Sequence, residues 1–133
     1  MSVQEYVRQR VRQAFKNRCA YWPLMEIEHI IPKFCNGSDD ELNLCLSCRL
    51  CNSYKSTQTE AIDPASKIVV SLFNPRAQLW HEHFQWSRDG VRVIGKTDVG
   101  RATVEALQLN NEIAINVRRN WVSVGWHPPT DSI

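Results

Sequence analysis

The sequence predicts an α+β fold, and three observations carry that prediction. Two short apolar stretches, Met25–Ile31 and Leu44–Leu46, are separated by a polar loop and followed by a helix-forming run from about Cys48. A later stretch from Trp80 alternates apolar and polar residues until Asp89-Gly90 turns the chain back. Both ends of the chain repeat apolar residues at helical spacing. With 133 residues, 43% of them apolar and 23% charged, the chain fits one domain, 1–133, large enough to bury a core.

The elements follow in order. Residues 2–17 place Val3, Val7, Val11, Ala14 and Phe15 on one helical face, while Arg8, Arg12 and Lys16 recur every four residues on another. That basic edge suits a nucleic-acid backbone, and it equally suits a packing helix whose charges only solubilise it. Asn17-Arg18-Cys19 ends the helix, and Pro23 fixes the turn that follows. Met25–Ile31 reads as a strand stopped by Pro32, Lys33–Asp40 as a loop, and Leu44–Leu46 as a second strand. Ser47 can cap the ensuing helix, which carries Asn52 one turn in and Lys55 on nearly the same face.

Thr57–Lys67 reads as a surface connection into the apolar run Ile68–Phe73. From Trp80, a hairpin puts Trp80, Phe84 and Trp86 on one face and His81, His83, Gln85 and Ser87 on the other, returning through Val91 and Val93. His81 and His83 lie on the polar face, which favours solvated or phosphate-facing histidines over metal ligands. Thr97 caps a helix with Val99, Ala102, Ala106 and Leu109. Asn110 caps another with Ile113, Val117, Trp121 and Val124, ended by Gly125. Arg101, Arg118 and Arg119 are expected on outer faces, open to water or to a nucleic-acid backbone.

The net charge of +2 is small, but Arg8, Arg10, Arg12, Lys16 and Arg18 crowd the first eighteen positions against Glu5 alone. No stretch approaches the roughly eighteen apolar residues of a membrane span, and no apolar leader is present, so a cytoplasmic, reducing location is expected. Three of the five cysteines, Cys45, Cys48 and Cys51, fall close together, a pattern that points to metal rather than disulfides in such a compartment.

The chemistry concentrates between Glu26 and Lys55. Hydrolysing a phosphodiester takes an activated water, an ion against the charge developing on the phosphate, and stabilisation of the leaving oxygen. His29 can take a proton near neutral pH. Glu28 offers a hard anionic oxygen and Asn52 an amide oxygen, a pair suited to Mg2+ or Mn2+. Asn43 is the candidate to orient the imidazole, and Lys55 to meet a phosphate as a point charge.

At Glu28-His29-Ile30-Ile31-Pro32, then Asn43, then Cys48-Arg49-Leu50-Cys51-Asn52-Ser53-Tyr54-Lys55, the sequence resembles the HNH nuclease family. The resemblance covers roughly residues 18–57. It implies a ββα-metal core at 18–57, with the hairpin and helices at 68–125 beyond it. It also implies one divalent cation held by Glu28 and Asn52, His29 as general base, Asn43 as its support, and double-stranded DNA as substrate, cut alone, as a homodimer or with an accessory protein. Many members add a structural zinc on two Cys-x-x-Cys pairs. Cys48 and Cys51 form the second pair, but Cys19 is followed by Trp22 where a cysteine is expected, leaving Cys35 or Cys45 as replacements. Zinc, or a Trp22 that fills the place with buried thiols around it, are both consistent with that pattern. Asn36 stands where a glycine is common. A non-catalytic DNA-binding module of the same shape is the alternative function, and a zinc-stabilised interaction domain the third.

Overall fold

The computed structural model describes residues 4–14, 26–47 and 49–129, with residues 26–28, 34, 46–47, 49–50 and 52 described by their backbone. The architecture is mixed α+β, with helices and three separate two-stranded antiparallel sheets. The chain folds into two compact units: one takes the residues up to Thr59 together with Asn74–Leu79, the other Glu60–Phe73 and the chain from Trp80.

In the first unit, α1 (Glu5–Ala14) buries Val11 and packs on the hairpin of β1 (Glu26–His29) and β2 (Leu44–Ser47). The strands pair from Glu26 opposite Ser47 to His29 opposite Leu44. One further rung, Ile30 N to Asn43 O at 2.8 Å, closes the mouth of the intervening loop. The short helix α2 (Arg49–Lys55) then packs back onto β1. Leu44, Cys45 and Cys51 form the core beneath. Arg76 reaches in from Asn74–Leu79 and donates from Nε to Leu44 O at 3.0 Å.

The 31–43 loop is tightly folded, with two turns of 3-10 helix, Lys33–Cys35 and Glu41–Asn43, that a plain loop reading did not anticipate. Pro32 O accepts from both Cys35 N and Gly37 N. Asn36 takes the left-handed conformation at φ 66°, which explains how it replaces a glycine: among residues with a Cβ, asparagine tolerates that region best. A side chain at Gly37 would fall on the Ile31 carbonyl, so only glycine fits there.

The second unit departs from expectation in three places. The expected surface connection instead contributes a strand, β3 (Glu60–Ile62), which pairs with β4 (Val69–Ser71) from the apolar run that follows. Asp63 organises its turn, accepting from Ala65 N, Ser66 N and Ser66 Oγ. The hairpin expected from Trp80 starts later: Trp80–His83 is a helical turn, α3, and only β5 (Phe84–Trp86) and β6 (Val93–Gly95) pair. None of the four residues of α3 is β-branched, and His83 O accepts from Lys96 N at 2.7 Å. The aromatic face survives the change, with Trp80 stacked between Phe84 and Trp86 at 5.4 and 5.1 Å.

Helices α4 (Asp98–Ala106) and α5 (Glu112–Ser123) form where expected, α4 capped by Thr97 but ending before Leu109. The second cap lies one residue on, at Asn111, because Asn110 is committed to both the N–H and the carbonyl of Val93. Of the three arginines expected on outer faces, one is buried and another is committed to an ion pair. Arg118 is fully buried, with Nη1 donating to Val91 O at 2.9 Å, Nη2 to Leu109 O at 2.6 Å, and its guanidinium over Trp86. Arg101 forms a two-pronged pair with Asp63, at 2.9 and 2.8 Å.

Candidate active site

His29 ends β1, and its half-buried imidazole has Nε2 2.7 Å from Asp39 Oδ1. The other carboxylate oxygen, Oδ2, accepts from Lys33 Nζ at 3.1 Å. These two partners, His29 first, hold the Asp39 carboxyl below the ordinary carboxylate range. An ionised carboxylate has no proton to give and can only accept at this contact. Asp39 was not among the residues singled out in the sequence; an acidic pair in a Gly-Ser-Asp-Asp turn is commonplace, and only the folded loop brings it to the ring.

Asn43 acts through the backbone. Its Oδ1 accepts from Ile31 N at 2.9 Å, and its Nδ2 donates to Ile31 O at 3.0 Å and Ser38 O at 2.8 Å. One amide thus ties the start of the loop to the segment that carries Asp39, and its bonds go to backbone groups rather than to the imidazole.

Lys55 corrects its expected role. It is 2% exposed, and its ammonium donates to Ile30 O at 3.1 Å and His29 O at 3.4 Å. Those carbonyls satisfy a buried cation, so Lys55 props the end of β1 from beneath instead of facing a phosphate. The contact also sets where α2 lies: its last turn, which begins at Asn52, sits at the end of the strand that carries Glu28 and His29.

The side chains of Glu28 and Asn52, and the whole of Lys16, Cys19, Trp22 and Cys48, lie outside the described residues. Cys51 is buried in the core, as is Cys45, while Cys35 is exposed. Among the described residues no group of three or more His, Cys, Asp or Glu is arranged to hold a metal. On α1, Arg12 faces Glu5 at 3.3 Å and Arg10 pairs with Glu41 at 2.7 Å, so part of the basic edge is spent on contacts within the unit. Arg8 is half-buried on the same helix. In the second unit, His83 Nδ1 bonds Thr97 Oγ1 at 2.7 Å, which gives that ring a structural partner. No helix among the described residues is long and apolar enough to cross a membrane.

The described geometry is thus a hairpin closed by a pinned loop, with a partly buried histidine at its mouth and a short helix packed against the first strand. Residues 14–58 match the family model for HNH endonuclease, and the chain carries an HNH endonuclease domain over that span. No curated protein and no solved structure matches the chain.

Proposed function

We propose that the chain is a metal-dependent HNH endonuclease that hydrolyses DNA phosphodiesters within a ββα-metal core, with His29 as the general base. The observation that carries this reading is the state of His29. Its side chain is 23% exposed, enough for a water to reach, while its ring is held by Asp39 and its carbonyl by Lys55. In the step proposed, the imidazole takes a proton from water as the water oxygen bonds to phosphorus. The bond from phosphorus to the leaving oxygen then breaks, and that oxygen is protonated from solvent.

Glu28 and Asn52 would hold one divalent cation, Mg2+ or Mn2+. The two residues supply hard oxygen donors, and the Lys55–His29 contact brings the helix turn that begins at Asn52 to the strand end that carries Glu28, which supports the fit. When bound, the ion neutralises charge developing on the phosphate.

The test is nicking of supercoiled plasmid with Mg2+, Mn2+ or chelator. His29→Ala is expected to lower the metal-dependent rate by on the order of 10²–10⁴-fold while sparing DNA affinity. DNA retention with no metal-dependent nicking by the unaltered chain would favour the non-catalytic binding module.

A further inference from the structure

We infer that Asp39 is the positioning residue of the site: it fixes the His29 ring with hydrogen on Nε2 and so makes Nδ1 the nitrogen that accepts the proton. The inference rests on the nuclease reading for its catalytic consequence, but not for the geometry itself. Three observations converge on it.

Nε2 and Oδ1 lie 2.7 Å apart, short enough for a charge-assisted bond. A lysine occupies the second oxygen of the same carboxylate, which keeps Asp39 ionised and unable to offer a proton to the ring. The loop is also too constrained to let the carboxylate drift. Asn43 bonds Ser38 O next to Asp39, Ser38 Oγ accepts from Asp40 N, and Gly37 sits against the Ile31 carbonyl. A neutral imidazole that donates from Nε2 has its lone pair on Nδ1, and no described residue bonds that nitrogen.

Lys33 makes the substitution at position 39 informative. In Asp39→Asn, the lysine can only donate, so it would draw the amide oxygen and leave the NH2 group facing His29. Two donors cannot face each other, so Nε2 must then accept and the hydrogen moves to Nδ1. The ring keeps its place and loses its basic nitrogen, the effect known from the buried aspartate of serine-protease triads.

The experiment reads the tautomer directly. Two-bond 1H–15N correlation spectra of the full chain labelled with 15N-histidine, without metal and with His29 assigned through His29→Ala, are expected to show the Nε2–H form. Asp39→Asn should shift His29 to the Nδ1–H form, and Asp39→Glu should restore part of the original pattern. In the nicking assay Asp39→Asn should lower kcat by on the order of 10–10⁴-fold, with KM and DNA affinity unchanged. A His29 protonated on Nδ1 in the unaltered chain, or an Asp39→Asn variant that nicks at full rate, overturns the proposal. An unaltered chain that shows the Nε2–H form but never nicks leaves the positioning intact and brings down the nuclease reading instead.

Discussion

Asp39 and Asp63 invite comparison because each is a loop carboxylate that answers a nearby cation, one in each unit. Asp63 is completely enclosed: Arg101 grips both oxygens, and the turn residues Ala65 and Ser66 add three more donors. Arg101, first among these, holds its carboxyl far below the ordinary range. Asp39 has two partners, and its side chain keeps 23% of its surface open. A carboxylate with every lone pair answered can only hold a fold together. One shared between a lysine and an imidazole, with solvent still at its edge, retains the freedom to influence what the imidazole does.

The sharpest way to break this contrast is to remove each side chain. Asp63→Ala strands the Arg101 guanidinium and the turn amides, and it should produce a larger fall in melting temperature than any substitution at Asp39, with nicking per folded molecule unchanged. Asp39→Ala should leave the melting temperature near that of the unaltered chain and slow nicking. If the two variants lost stability equally, Asp39 would be a fold clamp as well.

A smaller effect is expected at Asn43. Replacing it with alanine removes three bonds that pin the loop, for a stability loss of about 2 kcal/mol in chemical denaturation and a slower nicking rate through a looser Asp39. A rate unaffected by this change would separate loop anchoring from ring positioning.

The most gradual effect is acid destabilisation of the second unit. Burial, reinforced by Arg118, pushes His127 down to about 4. The unfolded chain takes up that proton near the ordinary 6.5, so between pH 6.5 and about 4 the unfolded state binds more protons and stability falls as pH falls. The Asp63 contribution is present above its ordinary value and fades only below it, at the acid end of the same curve. His127→Gln should flatten the decline between pH 6.5 and 4 in thermal melts and leave the lower limb in place.

How much of this was legible in the sequence depends on the kind of interaction. Strand, loop, strand and helix between Glu26 and Lys55 were readable because local apolar pattern and punctuation by Pro32 specify them. The Thr97 cap was readable for the same reason, while the Asn111 cap was missed by one residue because Asn110 answers to a distant strand. Lys55 and Arg118 carry charges that propensity assigns to the surface. Each is buried because backbone carbonyls far away in sequence happen to receive its protons, which no local window can reveal. Asp39 escaped notice similarly: its role depends on a loop folded back over ten residues onto His29. The β3–β4 hairpin was hidden by a polar turn whose structure is supplied by Asp63 and, through it, by Arg101.

Arg76 sets a practical boundary on the molecule. It lies well past the end of the family match, yet its guanidinium grips the carbonyl of Leu44, the residue paired with His29 across the hairpin. A piece trimmed to residues 14–58 would keep the whole family match and surrender that brace, so the smallest autonomous version of this domain has to be sought in a longer piece of chain than its motif suggests.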